Sequence, residues 1–121
     1  MTKAERSYKM FLDDIQTAMS RISEYIEGYN FEHFKMDYKT VDAVIRNFEI
    51  IGEASKNLDD KIKEKYPDVP WKEMYYLRNR VSHDYFGVDY EIIWDIATNY
   101  LPKNKIQIDQ IIESEKLNTT A

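Results

Sequence analysis

The run Arg78-Asn79-Arg80-Val81-Ser82-His83-Asp84-Tyr85 concentrates more chemistry than any other stretch of this chain. Arginine offers a planar fork that grips a phosphate through two parallel hydrogen bonds. Histidine exchanges protons near neutral pH without a large shift. Asparagine and serine can orient an imidazole or a phosphate oxygen, and tyrosine can stack on a base or present its hydroxyl as an acceptor. Together these types describe phosphate binding coupled to proton transfer. On a helix, Asn79 and His83 stand at i and i+4 and lie one above the other. Arg78 and His83 are five apart, roughly 140° around the axis. A long arginine spans that gap most easily where the helix unwinds, so the cluster reads as one built at a helix end, beside a cleft, with Tyr85 just beyond. The plain alternative is a solvated arginine near a surface histidine.

A helix end needs helices to hold it, and the flanking sequence supplies them. From about Lys3 to Glu27, residues Tyr8, Phe11, Leu12, Ile15, Ala18, Met19, Ile22 and Ile26 recur at three- and four-residue spacing, which is one apolar stripe. Gly28 is a natural stop, and Asn30 can cap a short turn through Phe31, His33 and Phe34. A second long helix is expected from about Asp37, as N-cap, to Asn57, with Val41, Val44, Ile45, Phe48, Ile51 and Ala54 as its stripe. Gly52 inside it costs roughly 1 kcal/mol against alanine and lets another group approach closely. Asp59 to Tyr66 reads as a short helix ended by Pro67. Pro70 suits the first turn of the motif helix, along which Trp71, Met74, Leu77 and Val81 follow before it unwinds near His83. Asp89 caps the last segment, which carries Ile92, Ile93, Ile96, Ala97, Tyr100, Leu101, Ile108, Ile111 and Ile112, and Pro102 is expected to kink it.

The spacing therefore predicts an all-α fold: one domain over residues 1–121, an antiparallel bundle of about five helices with two long antiparallel ones, and a polar tail over 114–121 that frays. Stripes of this length serve a monomer core or a dimer seam equally well.

Composition narrows the function. The chain is 43% hydrophobic and 32% charged, a globular balance, with only three glycines and three prolines, few enough breakers to favour long helices. It has no cysteine, which excludes disulfides, thiolate chemistry and cysteine-based zinc sites. Met1 to Arg6 lacks the apolar core of a signal peptide, and no apolar run approaches a membrane span, so a cytoplasmic location is expected. The formal net charge is −5, so contact with nucleic acid requires a local basic patch. Arg46, Lys56, Arg78 and Arg80 are the candidates for it.

Other residues weigh less. His33 lies far from the motif in sequence. Glu53 and Lys56 flank Gly52 and are candidates to approach Arg78, or to form an ordinary solvated face. Asp13-Asp14 and Asp59-Asp60 point their members in different directions on a helix, and no histidine pair has metal-ligand spacing, so no metal and no cofactor are expected. No glycine-rich phosphate loop is present. Trp71, Tyr75 and Tyr76 read as core or interface.

The segment Leu77-Arg78-Asn79-Arg80-Val81-Ser82-His83-Asp84-Tyr85-Phe86-Gly87-Val88 resembles the signature of the HEPN superfamily, in particular its HepT-like branch of toxins: R-x-x-x-x-H followed by x-Y, with asparagine directly after the arginine. Ile51-Gly52-Glu53-Ala54-Ser55-Lys56 is similar to that branch's second-helix segment, and the Pro-Trp before the motif helix agrees. The resemblance implies a helical homodimer in which two motifs meet at a cleft, acting as a metal-independent endoribonuclease. It further implies an antitoxin partner, a nucleotidyltransferase of the MNT type, that silences the toxin by transferring AMP to the motif tyrosine, Tyr85. RNA carries its own nucleophile, the 2′-hydroxyl, so cleavage needs a base, an acid and a cation near the phosphate. In that chemistry His83 transfers protons, Arg78 holds the phosphate, and Asn79 orients His83 or a phosphate oxygen, with Ser82, Arg80, Glu53 and Lys56 in support. The alternative is a non-catalytic nucleotide- or substrate-binding subunit of a nucleotidyltransferase.

Overall fold

The computed structural model describes the backbone of residues 3–82 and 89–120, and the side chains of residues 8–77 and 89–116. The described residues are helical with no strand: α1 (Lys3–Tyr25), α2 (Phe31–Met36), α3 (Tyr38–Asn57), α4 (Asp60–Lys65), α5 (Trp71–Ser82), α6 (Tyr90–Asp95), a π-helical turn over Ile96–Tyr100, and α7 (Leu101–Thr120). The all-α bundle expected from the periodicity is what forms.

Local chemistry sets the boundaries. Gly28 has φ +79, a left-handed conformation that glycine takes without steric cost, and it ends the turn after α1. Asn30 accepts from the His33 backbone N–H at 2.8 Å and starts α2. Asp37 accepts from the Thr40 N–H at 3.3 Å and its other oxygen takes the Thr40 hydroxyl at 2.8 Å. Asp59 caps α4 through the Lys61 N–H. Asp89 caps α6 through the N–H groups of Glu91 and Ile92. Each of these short side chains satisfies a donor that the first helical turn leaves open. Pro70 sits one place earlier than expected: its carbonyl accepts the Met74 N–H at 3.0 Å, so it precedes α5 rather than lying within it.

The core is one cluster, drawn from Leu12, Ile15, Met19 and Ile22 of α1, Phe34 of α2, Val44, Phe48 and Ile51 of α3, and Leu101 and Ile108 of α7, all essentially solvent-free. Burying each such side chain is worth about 1.5–3 kcal/mol. α3 is central and packs against both α1 and α5. Gln16 donates to Asp109 at 2.7 Å while Tyr8 donates to Glu115 at 3.2 Å, so α1 and α7 run antiparallel.

Beside the two long helices α1 and α3, α7 extends over 20 residues. The reason lies at Pro102. The Leu101 N–H bonds back five residues to the Ile96 carbonyl, a widened turn that hands the chain over to α7 just where proline has no N–H to give. The backbone of α7 is helical through Thr120, and Glu115 within it is 5% exposed and hydrogen-bonded.

Candidate functional site

The motif helix α5 is positioned by its own apolar face. Trp71, Met74 and Leu77 are buried at spacings of three, against the central helix α3. The Trp71 indole N–H donates to the Tyr66 carbonyl at 2.9 Å, which fixes the start of the helix to the turn after α4. The chain returns from the motif through α6, held by buried Ile93 and by Trp94, whose ring lies 5.2 Å from that of Phe34. Both helices flanking residues 83–88 are therefore anchored to the core.

Arg78, Asn79, Arg80 and Ser82 occupy the last turn and a half of α5, the helix-end placement their spacing implies. His83 and Tyr85 lie outside the described residues, and with them the Asn79–His83 and Arg78–His83 relations. Glu53 and Lys56 are exposed on α3. Glu53 lines a surface hollow of about 330 Å³ with Phe11, Asp14, Arg46, Glu49 and Asn57. Arg46 is paired with Glu49 at 3.7 Å. Ten residues of α-helix put Arg46 and Lys56 about 15 Å apart along the axis and roughly 80° apart around it, so α3 does not gather those two into one basic patch.

His33 takes part in a small structural cluster. Its ring stacks on Tyr29 with centroids 3.9 Å apart and planes at 9°, and the Tyr29 hydroxyl donates to Asp37 at 2.7 Å. Hydrogen bonds from Tyr29 and Thr40 hold the Asp37 carboxyl below its ordinary value. Trp71 is core, as expected, while Tyr75 and Tyr76 form an edge-on pair at 5.2 Å with Tyr76 exposed. Among the described residues no group of three or more His, Cys, Asp or Glu side chains is placed to hold a metal ion, and no helix is long and apolar enough to cross a membrane.

Two features escape a reading of the sequence. One is a groove of about 470 Å³ where α5 meets α6, the π-helical turn and α7, floored by Met74 and Leu77 of α5 with Pro70, Ile92 and Ile96, and rimmed by Glu73, Asp95, Tyr100 and Lys103. The other is a buried carboxylate, Glu115. It accepts from the Tyr66 hydroxyl at 2.6 Å, from the Lys65 ammonium at 2.9 Å and from Tyr8. Burial pushes the Glu115 carboxyl up, but the donated hydrogen bonds of Tyr66 and Lys65 outweigh it and hold the group below its ordinary value. Burial and the bond to Glu115 raise the Tyr66 phenol in turn. No periodic signal joins residues on separate helices tens of positions apart, so neither feature is visible in the sequence.

An all-α bundle that presents R-N-R-x-S at the end of a core-anchored helix is the class of scaffold the motif demands. Comparison with known proteins gives that class its family. The model of the family described as ribonuclease HepT-like matches residues 15–111, and the chain belongs to that family. It is 45% identical over 90% of both chains to a protein of Methanocaldococcus jannaschii provisionally named an RNase. It is 41% identical to a Thermococcus cleftensis protein provisionally named ribonuclease HepT, over 88% of this chain and 97% of that one. A Caldanaerobacter subterraneus protein, also provisionally named an RNase, is 39% identical over 88% of this chain and 95% of its own. No solved structure matches the chain.

Proposed function

We propose that this ribonuclease-family protein is a toxin: a homodimeric, metal-independent endoribonuclease, neutralised when a nucleotidyltransferase antitoxin transfers AMP to Tyr85. The observation that carries the reading is the Arg78-to-Tyr85 sequence run, whose Arg78–Ser82 part ends a core-anchored helix, in a chain of the ribonuclease HepT-like family. In the proposed reaction the RNA 2′-hydroxyl loses its proton to a histidine and attacks the adjacent phosphorus. The bond to the 5′-oxygen breaks, and that oxygen takes a proton from the second catalytic group. The products are a 2′,3′-cyclic phosphate and a 5′-hydroxyl. Arg78 offsets the charge that builds on the phosphoryl oxygens, and Asn79 orients His83 or a phosphate oxygen. One motif histidine per chain supplies base or acid but not both at once, so a dimer that brings two copies of His83 to one cleft completes the set. AMP on Tyr85 adds bulk and negative charge where the RNA phosphate must sit, which blocks it.

The test is RNA cleavage in EDTA by wild type and His83→Ala, after intact mass shows Tyr85 unmodified. A placed histidine contributes roughly 10²–10⁴ in rate, so the variant should lose about that much while remaining folded. Equal cleavage by both proteins refutes the mechanism. No cleavage by unmodified wild type favours the second reading, a substrate-binding subunit that holds a phosphate without breaking its ester bonds.

A further inference from the structure

The groove beside α5 is floored in part by the core residues Met74 and Leu77, and the motif reading leaves it without a use. We propose that it is a nucleobase pocket, selective for a base with an exocyclic amine, which seats one base of the RNA held at the motif. This rests on the ribonuclease reading and extends it to substrate choice.

Position supports it first. Leu77 is joined directly to Arg78, and Met74 lies about 6 Å before Arg78 along the same helix. The groove and Arg78 therefore lie within about one turn of each other on α5, within reach of one nucleotide step of a bound strand. Size and shape agree. A space of about 470 Å³ falls within the range of small-ligand sites and holds one base with room for its sugar. The floor of Pro70, Met74, Leu77, Ile92 and Ile96 is apolar and suits the two faces of a flat ring. Tyr100, 58% exposed at the rim, is a stacking surface of the kind that single-stranded RNA uses.

The rim sets the selectivity. Glu73 and Asp95 both line the groove, and ionised carboxylates only accept hydrogen bonds. Asn99 donates to Asp95 Oδ1 at 2.6 Å. That bond fixes the carboxylate's orientation while leaving it further acceptor capacity. Carboxylates match the N6 amine of adenine, the N4 amine of cytosine, and the N1–H and N2 amine of guanine. Uracil has one N–H between two carbonyl oxygens, which carboxylates repel. The same negative charge turns phosphates away, so a strand can offer this groove a base edge but not its backbone. The cations are Lys103 at the rim and Arg78 and Arg80 on the next turn of α5.

The test uses the full chain in methyl and amide NMR titrations of AMP, CMP, GMP and UMP, which hold no internucleotide bond to cleave. Ile92, Ile96, Met74 and Leu77 should respond to the three amino-bearing nucleotides, with UMP at least tenfold weaker. Asp95→Asn should weaken the favoured nucleotides about tenfold. In the catalytically intact chain it should flatten base preference in cleavage through KM, with kcat retained. Equal response to all four nucleotides, or none at the groove, overturns the proposal. So does a groove that answers only to a Lys- and Arg-rich amphipathic peptide, which would assign it to a protein partner. The two readings fail separately: groove binding without RNA cleavage by wild type sinks the ribonuclease mechanism, whereas cleavage with a silent groove sinks the pocket.

Discussion

Replacing Glu115 by alanine removes the one buried carboxylate that joins α1, α4 and α7, and its cost can be worked from the geometry. The Tyr66 hydroxyl at 2.6 Å is a short, charge-assisted hydrogen bond, worth about 1.5 kcal/mol. The Lys65 ammonium at 2.9 Å belongs to a side chain 49% exposed, so solvent screens it and it adds little. Tyr8 at 3.2 Å adds at most about 0.5 kcal/mol. The sum is about 2 kcal/mol, because Lys65 returns to water when the carboxylate goes. Urea unfolding followed by far-ultraviolet circular dichroism reads it as a lower midpoint at unchanged slope. The acid limb gives an independent check. The Glu115 pKa in the folded chain lies below its ordinary value of 4.5, so its contribution is fully present above about that pH and disappears as pH falls through the lower folded value. The gap between wild type and Glu115→Gln should therefore narrow across that acid window. A variant within 0.5 kcal/mol of wild type, by an order-of-magnitude standard for neutral surface changes, or a gap that does not depend on pH, refutes the reasoning.

Leu77→Ala removes the last described core contact before the motif, and should cost about 2–4 kcal/mol in urea unfolding and lower RNA cleavage with it; a stable, inactive variant would show instead that the helix end is affected without the core. Gly28→Ala meets no atom within 4 Å, so its cost is backbone strain alone, about 1 kcal/mol by thermal unfolding, and an unchanged melting temperature would mean that the turn relaxes. Tyr85→Phe should acquire no AMP from a cognate nucleotidyltransferase by intact mass while still cleaving RNA, and an adduct on that variant would place the acceptor elsewhere.

The helices were legible because their signals are local. Gly28, Asn30, Asp37, Asp59 and Asp89 each act within three residues, and a stripe such as Leu12, Ile15, Met19 and Ile22 needs only the helical period. Pro102 marks the limit of that grammar. A proline inside an apolar stripe announces an interruption, but a widened turn and a kink both absorb it, and the choice depends on packing around Ile96 and Leu101. The same limit hides Glu115 of α7, whose partners Tyr66 and Lys65 stand about fifty residues away in sequence.

The site divides along the same line. Arg78, Asn79, Arg80 and Ser82 are contiguous, so their placement on one helix end follows from Trp71, Met74 and Leu77 burying the other face. Arg46 and Lys56 are each suitable as cations, yet helical geometry alone keeps them apart. A charge count cannot reveal this, although the helical period can. The groove beside α5 needs Met74, Ile96 and Lys103 together, and only the fold brings three such distant stretches to one wall. If that groove reads a base, substrate choice is carried by residues with no motif. Family members sharing the Arg-to-Tyr run would then differ in which RNA they prefer according to what stands at positions 73 and 95.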